Sequence, residues 1–441
     1  MVPMARRGAA TTGSPRRRDH SSIWEVSNVS TLAREVMATK ERLGILLAFQ
    51  PVYTRNKTVA AYEVLLDRER ADCSGALPEL TSSIVLGTYA DTFQNGRIET
   101  VPTLLRVAPT TLLSPEITLL PPNQYLLEVA VPENASAELV AQLRALAERG
   151  YKLALAGYRP GRDDLESLLD VFEVARLNLP QLGMPGLAEA ARRLYFHKTR
   201  LLVDGVDAID QFYACADLGA TWFQGDFLVK STPVKDKKIA NNKVLLLELL
   251  SELHRPDTSP MALEQIAIKD AAFSFRILKV INSAAVGLNR EISSLSKAIS
   301  LLGTNELGRW ANMLLVHGEP GKPEELMRNM LVRGRMCEIL AELSGRDDAM
   351  TSFIVGLLSR LDVLMDIAMR DLMRQVPLSF EVKQALLHRN GPLGELLTEV
   401  EHYEGGHFDH LNWFVEPNLY EVAYRHSVIW ARRAQQALEA A

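Results

Sequence analysis

A β/α barrel followed by an all-α helical domain is the fold this sequence predicts, and three observations predict it. From about residue 44 to 233, short apolar strand-like runs alternate with amphipathic helical ones. The stretch STPVKDKKIANNK, residues 231–243, is a polar break with a proline and a charge run, and after it the strand signal stops. Helix signals then follow one another to the C-terminus. Strict alternation of strand and helix argues for a parallel sheet, and about eight repeats argue for its closure into a barrel.

The strand-like runs are, in order, GILLAFQP, VAAYEVLL, TLLRVA, QYLLEVAV, YKLALAGY, VFEVARLNL, TRLLVDGV and ATWFQGDF. Between them lie helical patterns such as SAELVAQLRALAERG and AIDQFYACADLG, the second ending at Gly219, where a left-handed cap fits. Past the break, Ser259 and Pro260 stand as cap and first position before MALEQIAIKD. Ser293 or Ser294 precedes LSKAISLLG, and Thr304 precedes NELGRWANMLL. Long polar helices near 322–344 and the final EVAYRHSVIWARRAQQALEA continue the pattern. The organisation expected is a tail and lead-in at 1–43, the barrel at 44–233, a linker at 234–243 and the helical domain at 244–441.

The bulk numbers exclude several classes. With 441 residues the chain is too long for one ordinary core, and 47% hydrophobic with 23% charged residues is globular composition. A formal net charge of −5 gives no overall field favouring nucleic acid. Cys73, Cys215 and Cys337 are far apart, with no CxxC spacing, so neither a disulfide framework nor a zinc knuckle is expected and a reducing cytoplasm fits. The first twenty residues, MVPMARRGAATTGSPRRRDH, carry five arginines among Gly, Ser, Pro and Thr and read as a disordered basic tail. A patch for anionic membrane or nucleic acid is the alternative reading of that tail. Its arginine pair lacks the apolar core of an export signal, and no run of eighteen apolar residues predicts a membrane span.

Two segments resemble known families. FQPVYTRNKTVAAYEVLLDR, in which Glu63-Val64-Leu65 stands at Glu-Ala-Leu, and ATWFQGDF resemble the EAL family of cyclic di-GMP phosphodiesterases. DAAFSFRILKVINSAAVGLNREISSLSKAISLLGTNELGRWANMLLV resembles an HDOD domain, a relative of metal-dependent HD hydrolases. The resemblance implies a TIM-like barrel of EAL type ahead of an HDOD domain, an order known from bacterial signal transduction.

It also implies a pocket that can be checked position by position. Active EAL domains hydrolyse a phosphodiester with divalent metals held by hard oxygen ligands. The family's glutamates fall on Glu63 and Glu128, both kept. Its ligand asparagine falls on Arg106, and its paired aspartates fall on Ala156 and Gly157. The lysine that positions water falls on Arg176, the neighbouring aspartate on Asn178, the late glutamate on Asp204 and the glutamine on Gln224. With three ligand positions lost, no metal and no other cofactor is expected, and the site reads as degenerate. Arg106 is expected to neutralise Glu63 and Glu128, since two like charges at about 4 Å cost about 4 kcal/mol at an effective dielectric near 20. The plainer reading of Glu63 and Glu128 is leftover polar groups satisfied by water or arginine. Arg106 and Arg176 could also grip a phosphate, because guanidinium forks fit phosphate oxygens.

In the helical half, the position of the adjacent His-Asp pair of HD hydrolases reads Ser359-Arg360, and Asp362 and Asp366 read as a solvated or arginine-paired helix face. His402, His407 and His410 beside Glu401, Glu404 and Asp409 could bind zinc or iron, but Gly405-Gly406 interrupts any single helix face, so a polar helix end and loop is expected. INSAAVGL, with Asn282 and Ser283, packs closely or offers a docking groove for a partner helix. Trp310 is a further candidate for interaction, although it and Met313, Met327, Met330 and Met336 sit at core-like spacings. The expected function is a non-catalytic cytoplasmic scaffold or regulator in cyclic di-GMP or two-component signalling. Its expected partners are signalling proteins on the HDOD domain and a second copy through the barrel, with cyclic di-GMP an open ligand. A receptor that binds cyclic di-GMP uncut, and a weak phosphodiesterase, are the alternatives.

Overall fold

The computed structural model describes residues 46–67, 101–122, 124–230, 233–234, 239, 241–253, 259–267, 275, 278–279, 282, 294–317, 319, 321–376, 378–412 and 414–440. The basic tail, Cys73 and most of INSAAVGL with Ser283 lie outside the described residues.

All eight strand-like runs form strands: β1 (Leu47–Thr54), β2 (Val59–Leu66), β3 (Thr103–Arg106), β4 (Tyr125–Val129), β5 (Lys152–Leu155), β6 (Val174–Asn178), β7 (Arg200–Asp204) and β8 (Trp222–Phe223). They close into one barrel in sequence order. The sheet is not wholly parallel, however. β1 runs antiparallel to both neighbours, β2 and β8, while β2 to β8 are parallel. Only four residues separate β1 from β2, too few for a crossover helix, so the pair is a hairpin whose turn places Lys57 at φ 63°.

Period-two alternation fixes what the barrel holds. Val52, Ala61, Leu104, Leu126, Ala154, Val174, Leu202 and Trp222, one per strand, form an apolar layer. Two residues further toward the C-terminal ends, and two residues earlier on the reversed β1, the same faces carry Glu63, Arg106, Glu128, Ala156, Arg176, Asp204, Gln224 and Gln50. The mouth of the barrel is therefore polar by register, not by chance placement of loops.

The barrel helices are α1 (Pro109–Leu113), α2 (Ala137–Glu148), α3 (Leu179–Leu194) and α4 (Ile209–Asp217). Ser136 caps α2 by accepting from Leu139 N–H at 3.1 Å, and Gly219 takes the left-handed conformation expected after α4. The helical domain follows as α5 (Asn241–Leu253), α6 (Pro260–Ala267), α7 (Leu295–Val316), α8 (Glu324–Leu343), α9 (Ala349–Leu358), α10 (Leu361–Met365), α11 (Met369–Gln375), α12 (Phe380–His388), α13 (Gly391–Glu404) and α14 (Pro417–Ala440). Ser259 and Ser294 cap α6 and α7 through Ala262 N–H and Lys297 N–H, each at 3.2 Å. Within α7 the backbone leaves helical geometry at Gly303, just ahead of Thr304, where the sequence pattern restarts.

The polar sequence of α8 points to core positions only at its methionines, yet Glu325 through Ala341 are buried almost without break, apart from Arg328 and Asn329. It lies between α9, α13 and α14, and its buried charges face charges of opposite sign. A Cβ on Gly356 would stand 2.6 Å from the Arg333 carbonyl oxygen, so glycine is what lets α8 and α9 meet backbone to backbone. Trp310 is fully buried with Met313, Met330 and Met336, which removes it as a surface interaction residue and leaves the core reading.

The two domains share β1. Leu46 and Ala48 are fully buried within the core of the helical domain. β8 pairs only with Tyr53 and Thr54, so the rest of that edge of β1 must find other partners. Two tyrosines from the helical domain supply them: Tyr424 Oη accepts from Phe49 N–H at 3.1 Å, and Tyr403 Oη donates to the Leu47 carbonyl at 3.0 Å. Pro51 has no N–H to present at this edge, which suits a proline to an edge strand. Beside it Gly406, at φ +72°, packs against Leu65 so closely that a Cβ would lie 2.7 Å from Leu65 Cδ1.

Candidate functional site

The inward-facing residues at the barrel mouth converge on one ion cluster. Arg176, from β6, is its centre. Its Nη2 reaches Glu63 Oε2 at 2.9 Å, its Nε lies 2.6 Å from Glu128 Oε1, and its Nη1 lies 3.5 Å from Asp204 Oδ2. The contact to Glu128 is close but poorly aligned, an ion pair more than a directed hydrogen bond. Arg106, from β3, adds Nε to Glu128 Oε2 at 2.8 Å and Nη2 to Glu63 Oε1 at 3.5 Å. Each glutamate is thus held by both arginines. Gln224 Nε2 donates to Glu63 Oε2 at 2.8 Å and to Gln50 Oε1 at 3.2 Å. Asn178 caps α3 with its Oδ1 on Gln181 N–H and donates Nδ2 to Asp204 Oδ1 at 2.9 Å.

Burial sorts these groups. Glu63, Glu128, Arg176 and Gln224 are at most 5% exposed, while 45% of the Arg106 side chain is open. The buried guanidinium is therefore Arg176, and the expectation that Arg106 alone bridges the glutamates needs correcting. Both arginines bridge, and the inner one carries the buried contacts. Burial on its own would lower the Arg176 pKa, but Glu128, Glu63 and Asp204 outweigh it and hold the group above its ordinary value. Burial raises the Asp204 carboxyl, with Arg176 and Asn178 opposing the shift. Arg176 is also unsuited to the phosphate grip, because its three carboxylates already occupy it. Arg106 keeps an open side.

A divalent metal does not fit these residues. Ala156 and Gly157, at the end of β5, bring no donor atom, and Gly157 opens onto empty space at φ +63°. The remaining carboxylate oxygens face guanidinium groups, except Asp204 Oδ1, which accepts from Asn178 Nδ2. Among the described residues no group of three or more His, Cys, Asp or Glu is placed to hold a metal.

In the helical domain Ser359 and Arg360 sit at the C-terminal end of α9 and the start of α10. Ser359 accepts from Arg333 Nη1 at 3.0 Å and donates to the Gly356 carbonyl at 2.7 Å. Arg333 also holds Glu404 through two nitrogens, at 2.9 and 2.7 Å, and Glu401 at 2.9 Å. Arg389 grips Glu401 again, at 3.0 and 2.9 Å. Sequence reading did not find this cluster, because α8 reads as a long polar helix in which only the methionines sit at core-like spacings. A signal existed in the arginine at 333 on a helix otherwise spaced for burial.

The histidine group divides accordingly. Glu401 and Glu404 turn to the arginines, whereas the rings of His402, His407 and His410 lie 5.3 to 6.4 Å apart at a helix end and loop, as expected. Asp366 is not on a helix face. It ends α10 in left-handed geometry and pairs with Lys322. Asn282 is half-buried, with its N–H bonded to the Leu278 carbonyl.

The fold and its mouth define an eight-stranded β/α barrel with a reversed first strand, joined to an all-α helical domain. Residues 241–428 match the family model described as HDOD domain, which covers nearly all of the helical part of the chain. Among curated proteins the chain is similar to the "Cyclic di-GMP phosphodiesterase CdgJ" of Vibrio cholerae, 26% identical over 374 residues that cover 81% of this chain and 84% of the relative. It is also similar to "Uncharacterized protein YuxH" of Bacillus subtilis, 24% identical over 382 residues covering 83% and 92%. Among solved structures, the Xanthomonas citri FimX EAL domain in complex with c-diGMP matches at TM-score 0.37 and 16% identity, covering 48% of this chain and 97% of that one. The EAL enzyme Bd1971 in its cGMP-bound form matches at TM-score 0.36 and 14% identity, covering 45% of this chain and 64% of that one. No described helix is long and apolar enough to cross a membrane.

Proposed function

We propose that this chain is a non-catalytic regulator in cyclic di-GMP signalling, in which the charge of catalytic metals has been replaced by fixed guanidinium groups. The observation that carries the reading is the closed set of ion pairs made by Arg106 and Arg176 with Glu63, Glu128 and Asp204. A phosphodiesterase needs a metal-bound water whose pKa falls to about 7. This mouth offers carboxylates already neutralised, and two donor positions filled by Ala156 and Gly157. The cluster keeps the barrel mouth rigid without metal, and the helical domain is left to act by binding signalling proteins. Pairing of two copies through barrel helices belongs to the same reading.

The test is hydrolysis of cyclic di-GMP with magnesium or manganese. No linear product above the protein-free rate is expected. Turnover that disappears in Glu63→Gln would overturn the reading and make the chain a working relative of the named Vibrio cholerae phosphodiesterase.

One observation favours a second reading, a receptor that binds cyclic di-GMP without cutting it. The half-open Arg106 faces the mouth and has hydrogen-bonding capacity to spare for a phosphate. Calorimetry separates the two: heat of binding lost in Arg106→Ala supports the receptor, and absence of heat leaves the regulator.

A further inference from the structure

Among the described elements, α7 packs chiefly against α5 and α6 and touches α8, α9 and α14 more lightly. The three helices α5 to α7 therefore form a layer of their own, which the linker enters ahead of α5 and residues 317–323 leave. An ion cluster stands where this layer meets α8. It takes Glu306 and Arg309 from α7, and Arg335, Glu338 and Glu342 from α8. Arg309 reaches Glu306 at 3.3 Å and also pairs with Glu338, which pairs in turn with Arg335. Glu338 thus draws on both guanidinium groups. Glu306 Oε1 and Glu342 Oε2 are buried and have no hydrogen-bond partner among the described residues. The carboxylates of the cluster outnumber its guanidinium groups by one.

A carboxylate withdrawn from water without a matching cation is unfavourable, and uptake of a proton removes the charge. We propose that the junction of α7 with α8 is a proton-operated latch: the α5–α7 layer docks on α8 with a proton held in the carboxylate cluster, and loosens when that proton leaves. Burial, with the charge of Glu338 behind it, pushes Glu306 up to about 7 against the pull of Arg309. The same two causes raise Glu342. The neighbouring elements do not supply the missing cation. α9 carries no charged residue, and α5 brings Lys243, which pairs with Glu319, together with Glu248 and Glu252. α14 brings Arg425, which pairs with Glu421, and Arg432 and Arg433, which line the space toward the barrel. The charged groups acting on Glu306 are Arg309 and Glu338. His317, at the end of α7, is held below its ordinary value by burial, so its own protonation on acidification would loosen the layer, the opposite sign. The latch lies wholly within the helical domain and is independent of the reading given for the barrel mouth.

The test is hydrogen exchange of the full chain at pH 6, 7 and 8, read peptide by peptide and corrected for the intrinsic pH dependence of amide exchange. A carboxyl that titrates at about 7 in the docked layer and at 4.5 in the released one makes opening of α5–α7 about tenfold more frequent at pH 8 than at pH 6. Peptides from α13 and from the barrel strands are expected to change by less than about twofold. Glu306→Gln keeps the shape and removes the titration, so its α5–α7 peptides are expected to be as protected at pH 8 as at pH 6. Glu342→Gln takes away the third carboxylate and is expected to weaken the pH response at least by about half, which provides the test should Glu306→Gln not fold. The proposal is overturned by a wild type whose α5–α7 peptides ignore pH, by a response that persists unchanged in Glu306→Gln or Glu342→Gln, by loosening on acidification, or by a rise shared equally by α13 and the barrel, which would mean global unfolding and no separate layer.

Discussion

Replacing Arg176 by methionine tests the physical account of the barrel mouth most directly. Arg176 is 5% exposed and touches Glu63, Glu128 and Asp204, the first two of them buried. Methionine fills most of the volume, so the change removes charge and hydrogen bonds more than packing. Breaking a buried pair by deleting one partner costs about 3–5 kcal/mol, because a charge is left behind without compensation. Arg106 stays in contact with both glutamates, but it is half open to solvent, and its share is worth at most about 1 kcal/mol. A net loss of about 3 kcal/mol follows. In urea unfolding followed by circular dichroism, that loss moves the barrel transition down by about 1–2 M. Adding Glu63→Gln and Glu128→Gln to Arg176→Met removes the stranded charges and is expected to recover most of the loss. A midpoint shift below about 0.3 M, or a triple variant no better than the single one, would refute the idea that Arg176 works as an internal counter-ion.

Three further outcomes are expected. Burial pushes the Glu306 carboxyl up to about 7, against the pull of Arg309, so the folded chain binds a proton that the unfolded chain releases near its ordinary value of 4.5. The stabilisation is full below about pH 4.5 and is lost as pH rises to about 7, by up to about 3 kcal/mol; Glu306→Gln should flatten that slope in unfolding curves at pH 5, 6 and 7, and an unchanged slope rejects the assignment. Tyr424→Phe strands the Phe49 N–H and should cost about 1–2 kcal/mol, read as faster hydrogen exchange in β1; protection equal to wild type would mean that the edge finds another partner. Gly406→Ala forces a left-handed alanine against Leu65 and should cost at least about 1 kcal/mol while exposing the domain junction to limited proteolysis, whereas an unaltered cleavage pattern counts against close packing there.

The strands were legible because the barrel buries both faces of each, leaving apolar runs such as YLLEV with polar residues only near the strand ends. Register was legible for the same reason. Once Glu63, Arg106, Glu128, Arg176 and Asp204 are placed on strands with period two, their convergence follows. Depth was not legible. Nothing in the letters says that Arg176 lies beneath Arg106, because the reach of a side chain into the barrel depends on strand tilt and stagger. The reversal of β1 was concealed by the alternating pattern, although the short TRNK turn gives it away on inspection of length. The burial of α8 was concealed by its composition: Arg333, Arg335 and Glu338 look solvated until helices from distant parts of the sequence deliver their partners or cover them.

The helical domain does more than sit beside the barrel. Closure of β1 onto β8 involves two residue pairs, and the next polar groups along that edge belong to Tyr403 and Tyr424. Gln50, the β1 residue of the mouth layer, follows directly after Phe49, whose N–H is held by Tyr424, and it accepts the hydrogen bond of Gln224, which also holds Glu63. A displacement of α14 that drew Tyr424 away would leave a backbone donor unsatisfied unless β1 moved with it, and such a donor costs about as much as a lost hydrogen bond. Movement of β1 in turn shifts Gln50 against Gln224 and Glu63. The barrel mouth and the helical domain are thus linked through one strand, by contacts whose cost of breaking, about 1–3 kcal/mol, lies in the range of ordinary coupling free energies between sites.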